Sequence, residues 1–269
     1  MPGPRRDTRG IVDASELFAR VRFRRREPAP ALRPYLEHYW LIDWDLDEPY
    51  LSHLVPHPSV NVVFEQFGDS PAFGEVSGIG LDLFTQRLEG RGKVCGIQFR
   101  PGGFRPFAPD RPVSDWTGLR VPLRDVFPGS PVSGAPPCVL GPSDEDERVR
   151  ALDAFLLSLA PEPDPQATRA MDLVDRIRTD RTIRRVEELA AEEGVSARSL
   201  QRLFAAYVGV SPKWVILRYR IHEALERAES ESAIDWAGLA AELGYSDQAH
   251  LTRDFTSTIG VPPTAYAPH

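Results

Sequence analysis

Eight residues of this 269-residue chain occur twice, fifty positions apart. Leu189-Ala190-Ala191-Glu192-Glu193-Gly194-Val195-Ser196 returns as Leu239-Ala240-Ala241-Glu242-Leu243-Gly244-Tyr245-Ser246, with six of the eight positions identical. Each copy leads into an amphipathic run carrying an Arg and, two residues on, a Phe: Arg202 and Phe204, then Arg253 and Phe255. Each run closes on Gly-Val-x-Pro, at Gly209 to Pro212 and at Gly260 to Pro263. A repeat constrains the fold before any finer reading, because both copies must form the same local unit. Two copies do not make a solenoid, so the chain carries a duplicated small module.

The first copy reads as two helices about a tight turn. Ile183, Val186, Leu189 and Ala190 recur at helical spacing. Gly194 then ends that helix, since glycine accepts the left-handed conformation such a turn needs. Ser196 caps a second helix running to about Tyr207, with Leu200, Leu203 and Phe204 on its inner face and Arg198, Gln201 and Arg202 outside. The second copy places Leu239 and Ala240 on its first helix, Gly244 in the turn and Ser246 or Asp247 as cap. Leu251 and Phe255 face inward there, leaving Gln248, Ala249, His250 and Arg253 outward. Helix, glycine turn and capped helix make the helix-turn-helix pattern, whose second helix enters the major groove of DNA. Arg can bond a guanine edge twice, and Gln an adenine edge.

Between the copies, Ser211-Pro212-Lys213-Trp214 opens one long helix with Trp214, Leu217, Ile221, Ala224, Leu225 and Ala228 as its apolar stripe. A rigid linker of this kind sets two recognition helices a helical turn apart on one face of the duplex. His222 on this helix reads as a surface polar residue. The stretch from about Ala167 to Ala267 resembles the DNA-binding domain of AraC-type bacterial transcription regulators. The resemblance is carried by Leu189 to Ser196, Ser199 to Phe204, Gly244 to Phe255 and Gly260 to Tyr266. It implies two helix-turn-helix units joined by a linker helix, with Arg198, Gln201 and Arg202 facing DNA in the first unit and Gln248, Ala249, His250 and Arg253 in the second.

The charge runs against a simple basic footprint. The chain has a formal net charge of −7, and residues 167–269 hold 13 Lys and Arg against 15 Asp and Glu. Distribution answers this. Arg198, Arg202 and Arg253 occupy the recognition helices, and Lys213, Arg218 and Arg220 the linker. Acids gather at Glu187, Glu188, Glu192 and Glu193, and again at Glu226, Glu229 and Glu231. Few phosphate contacts mean weak binding to random duplex, so affinity must rest on specific contacts and on dimerisation.

The remainder reads as a second domain. Alternating Trp40, Ile42, Trp44 and Leu46, then Val60, Val62 and Phe64, then Leu81, Leu83 and Thr85, then Val94 to Phe99, predict short strands. Pro56, Pro58, Gly68, Gly78, Gly90 and Gly92 are read as the turns between them. The run from Arg91 to Phe107, with Tyr39-Trp40 and Pro56 to Asn61, resembles a sensor domain carried by one branch of AraC-type regulators, which implies a cupin-like barrel able to hold a small molecule. The expected fold class is α+β. Residues 1–20 form an arm, disordered or touching nucleic acid, and residues 21–142 the cupin-like domain. Residues 143–166 make a helix and a Pro-rich linker, and 167–269 the all-α DNA-binding domain. The helix near 143–159 packs on its own barrel or serves a dimer.

A barrel mouth is a ligand site, with Trp40, Trp44, His57, Asn61, Glu65 and Arg100 as its lining candidates. His53, His57 and Glu65 resemble a cupin metal set only loosely, because Pro56 keeps the two histidines off one helix. No metal or other cofactor is expected. Cys95 and Cys138 suit a reducing compartment, with Cys95 a small buried hydrophobe or one half of a redox pair. No apolar run marks a signal peptide or a membrane span. The function read here is a cytoplasmic, non-enzymatic transcription regulator binding double-stranded DNA and a small-molecule effector. A homodimer is expected and, for an activator, contact with RNA polymerase. The alternatives are a cupin-type metal enzyme with an appended DNA-binding tail, and a ligand-free regulator whose barrel serves only assembly.

Overall fold

A computed structural model describes residues 10–130, 132–230 and 234–265. The first nine residues of the expected arm, Glu231 and Tyr266 lie outside the described residues. The rest of that arm is ordered. Ile11–Val12 forms β1 and Ala14–Arg20 forms α1, whose Leu17 is buried. The polar, Arg-rich start predicts disorder, but β1 pairs with residues 53–54 of a later strand and draws this segment into the sheet.

The N-terminal region is a seven-stranded sheet in which every pairing is antiparallel. Its further strands are β2 (Arg22–Arg26), β3 (Leu36–Leu54), β4 (Asn61–Phe67), β5 (Phe73–Ser77), β6 (Phe84–Phe99) and β7 (Arg120–Pro122). The order is β1-β3-β6-β4-β5-β7, with β2 also on β3. Among the described residues no pairing joins β1 or β2 to β7, so the ladder is not closed. The sheet nevertheless curves strongly, because residues of β1, β2 and β7 all border one cavity. Register shifts on β3 between Leu36 and His38 and between Leu46 and Tyr50 interrupt its pairing with β6. Irregularities of this kind bend a strand and increase its twist. Gly90 and Gly92, expected in a turn, lie inside β6.

Period two sorts the faces of this sheet. Tyr39, Leu41, Val62, Phe64, Cys95, Ile97 and Phe99 point into a core with no exposure to speak of. Their neighbours Trp40, Ile42, Trp44, Asn61, Val63, Glu65, Val94 and Gln98 line the cavity on the other face. Glu145–Ser158 forms a helix, α4 once the short α2 (Leu123–Val126) and α3 (Ala135–Leu140) are counted. Asp144 caps it by accepting from the Glu147 amide. Its Phe155 meets Phe64 edge-on at 5.3 Å, and its Asp153 accepts from the Tyr39 hydroxyl at 2.8 Å. The apolar stripe of this helix therefore packs on its own sheet. Asp43 on β3 is held below the usual carboxylate range. Burial opposes its charge, but hydrogen bonds and ion pairs with Arg148 and Arg24 prevail.

The C-terminal region is helical: α5 (Pro165–Thr179), α6 (Val186–Glu192), α7 (Ala197–Tyr207), α8 (Pro212–Ser230), α9 (Trp236–Glu242) and α10 (Gln248–Ile259). Composition reads 161–165 as a spacer, yet Asp164 caps α5 and accepts from the Tyr207 hydroxyl at 2.8 Å. One buried apolar cluster runs unbroken from Tyr39 and Phe64 through Phe104 and Trp116 to Ala170, Leu200, Phe204 and Ile216. The two regions thus share a core. A second cluster joins Val55 of the sheet region to Ile221, Leu225, Leu239, Leu251 and Phe255.

Candidate nucleic-acid interface and sensor cavity

The two turn modules fold by the physics of their caps. In the first, Gly194 adopts φ +63° between α6 and α7, and Ser196 Oγ accepts from the Ser199 amide at 3.1 Å. In the second, Gly244 adopts φ +75°, and Asp247 rather than Ser246 is the cap, accepting from the His250 amide at 2.7 Å. That bond holds the Asp247 carboxyl below its usual range. Leu200 and Phe204 anchor α7, and Leu251, Phe255 and Ile259 anchor α10.

With these faces buried, Arg198, Gln201 and Arg202 stand exposed on α7. They occupy positions i, i+3 and i+4, which makes one outward stripe. On α10, Gln248, Ala249 and Arg253 are exposed. His250 is half-exposed and held. Its Nδ1 lies 3.3 Å from Ser246 Oγ, and its ring meets Tyr245 edge-on at 5.1 Å. The first head therefore offers two cations and an amide, and the second one cation, one amide and a braced imidazole.

The linker helix departs from its expected surface. Arg218 is buried, donates to the Leu81 carbonyl at 2.8 Å and lies 4.4 Å from the centre of the Trp214 ring. Burial lowers its pKa to about 10. Arg220 donates to the Arg184 carbonyl. Both count toward the basic distribution read from the sequence, yet both are engaged within the protein, and Lys213 remains exposed. His222, expected at the surface, is 2% exposed and stacks on His57 at 4.2 Å. A helix face cannot be read from its own sequence when another element packs on it.

The cavity has a volume of 490 Å³. Trp40, Trp44, His57, Asn61 and Glu65 line it; Arg100 does not. Arg100 follows β6 and donates to the Pro34 carbonyl and to Asp175 on α5 at 2.6 Å, which ties the two regions together. Its position just past a strand suggests the cavity rim, but the chain turns there toward α5. Arg178 of α5 and Tyr219 of α8 reach the cavity, so its wall includes the helical region. Burial raises the Glu65 carboxyl above its usual range, against an ion pair with Arg120 at 3.0 Å. Sequence reading missed Arg120, Gly92 and Gly96. The signal for the glycines was two on one strand at the spacing of two tryptophans on another.

The residues weighed as a metal set diverge. His53 contacts Thr85 at 2.9 Å, His57 stacks on His222 and Glu65 pairs with Arg120. Among the described residues no group of three or more His, Cys, Asp or Glu is placed to hold a metal ion. Both cysteines are free. Cys95 is fully buried, and burial pushes its thiol up to about 11. Among the described residues no helix is long and apolar enough to cross a membrane.

Comparison with known proteins divides the chain in the same way. Residues 189–268 match a family described as a helix-turn-helix domain, and residues 24–122 match a domain family of unknown function. No curated protein matches. Among solved structures, the chain is similar to the C-terminal domain of AraT, a response regulator from Geobacillus stearothermophilus. That match has 24% identity and a TM-score of 0.32, and covers 35% of this chain and 82% of that one. It is also similar to an apo point variant of ToxT from Vibrio cholerae at 14% identity and TM-score 0.42, over 90% of this chain and 98% of that one. Wild-type ToxT bound to an unsaturated fatty acid gives 14% identity and TM-score 0.41, over 90% and 96%. With its two capped turns and outward Arg and Gln, the C-terminal third is a DNA-binding helix-turn-helix domain. It carries two such units on one linker helix.

Proposed function

We propose that this protein is a sequence-specific, DNA-binding transcription regulator that answers to a small molecule held in its N-terminal cavity. One observation carries the reading: the cavity is walled both by the sheet and by Arg178 and Tyr219 of the helices that seat the DNA-reading heads. A molecule bound there touches the sensor and the reader at once. It shifts the presentation of the heads by as much as its affinity differs between two arrangements. Residues Arg198, Gln201 and Arg202 read the first half of the operator. Gln248, His250 and Arg253 read the second, with Ala249 adding a small contact surface. The regulator acts in the cytoplasm, as a homodimer, without catalysis, and contacts RNA polymerase where it activates.

Mapping of bound sites across the genome, followed by footprinting on the strongest, tests the DNA half of this reading. A protected site spanning two successive major-groove segments on one face is expected; random coverage would defeat it. Thermal shifts across a metabolite panel test the other half, because a ligand that binds the folded state raises apparent stability.

A further inference from the structure

The chemistry of the cavity narrows its ligand, granted the sensing role proposed above. Its floor contains two cross-strand pairs, Trp40 opposite Gly96 and Trp44 opposite Gly92. A Cβ built at Gly96 would lie 1.9 Å from Trp40 Cε2, with Cζ2 and Nε1 at 2.1 Å and 2.4 Å. A Cβ at Gly92 would lie 2.0 Å from Trp44 Cζ2. Side chains on a sheet ordinarily stand away from it. Here each indole lies down over its glycine, in space that any other residue would fill. Trp44 is buried by its surroundings, whereas Trp40 is only half-buried and borders the cavity. Its Nε1 donates to Asn61 Oδ1 at 3.4 Å, which fixes the plane of the ring. Ile42, Val63 and Phe84 supply apolar walls.

Charge at one end of this platform is unbalanced. Glu65 shares the guanidinium of Arg120 with Glu75, so two carboxylates meet one cation. Of the other three arginines that border the cavity, two are paired with carboxylates and the third sits against a ring of the cavity wall itself. Arg26 pairs with Asp146 and Glu145, Arg178 pairs with Asp175, and Arg25 lies 5.4 Å from the centre of the Phe23 ring. A ring face attracts both another flat ring and a cation, and a neighbouring carboxylate favours the cation further. We propose that the cavity takes a planar aromatic cation, its rings stacked on the free face of Trp40 and its charged group turned toward Glu65. The volume falls within the range of sites for drug-sized molecules.

Proflavine, a flat three-ring cation, and anthracene-9-carboxylate, an anion of similar ring area, are the probes. Binding to the DNA-free, full-length protein is read by equilibrium dialysis and by quenching of indole fluorescence. Proflavine is expected to bind at least tenfold more tightly than the carboxylate. Glu65→Gln should weaken proflavine at least tenfold and leave the carboxylate unchanged or tighter. Gly96→Ala, which lifts Trp40 off the sheet, should weaken both; Trp40→Leu replaces it if that variant fails to fold. Tighter binding of the carboxylate, or proflavine affinity unchanged in Glu65→Gln, would overturn the cationic class while leaving the cavity a ligand site. Failure of both probes to bind overturns the proposal, and the metabolite panel then judges the sensing role on its own.

Discussion

The equivalent glycines that close the two repeats allow the docking of the first head to be weighed. Gly209 follows α7 with φ +93°, and Gly260 follows α10 with φ +90°. Their backbones are matched but their surroundings are not. A Cβ at Gly260 would meet nothing within 4 Å, whereas one at Gly209 would lie 2.7 Å from Ile79 Cδ1 and 3.0 Å from both Thr117 Oγ1 and Val113 Cγ1. Alanine at either site incurs the left-handed penalty of an L-residue, about 1–2 kcal/mol. Only Gly209→Ala also forces a methyl into a packed contact, at a further cost of about 1–3 kcal/mol. The clash also strains the Thr117 hydroxyl bond to the Gly209 carbonyl, 2.8 Å long. Urea unfolding should therefore place Gly209→Ala about 1–3 kcal/mol below Gly260→Ala, with the helix content of both retained in dilute buffer. Equal losses in the two variants would refute the reasoning, since the first head would then not be pressed against the sheet region.

Other consequences can be measured directly. Arg202→Ala and Arg253→Ala should each weaken operator binding by about 1–3 kcal/mol if they read guanine; unchanged footprints would remove both as readers. Asp43 has a lowered folded pKa, so its stabilisation is present above its unfolded value near 3.8 and is lost as pH falls through the lower folded value. An acid titration of stability should consequently be shallower in Asp43→Asn. A thiol reagent should label exposed Cys138 at once and buried Cys95 only on unfolding; rapid loss of both thiols in the native protein would contradict the burial of β6.

Much of the DNA-reading region was legible because its determinants are local. A glycine in a left-handed turn, a capping side chain and an apolar face of period 3.6 lie within about twenty residues of one another, and the repeat states them twice. Alternation likewise revealed β3, β4 and the end of β6, although Leu81 and Leu83, read as strand, precede β6; Trp40, Trp44, Asn61 and Glu65, placed beside the cavity on that reading, do border it. It could not say that both faces of β3 are covered. Trp40, Ile42 and Trp44 look like a core stripe until Tyr39 and Leu41 are seen buried on the other side. Where long-range contact decides, local reading fails. His222 is buried because His57, far earlier in the chain, stacks on it. Gly92 lies within a strand because Trp44 needs its space, although glycine in isolation reads as a turn.

The shared core has an evolutionary consequence. Sensor and reader in such a chain are not interchangeable cassettes. A graft that joined another sensor at the Pro-rich segment of 161–165 would strip Leu200, Phe204 and Ile216 of many of their neighbours and leave Arg100 and Asp175 without each other. New specificities in this lineage would have to arise by substitution on the exposed stripes of α7 and α10, or on the cavity floor. A change on one side of the seam between the regions would have to be met by a change on the other.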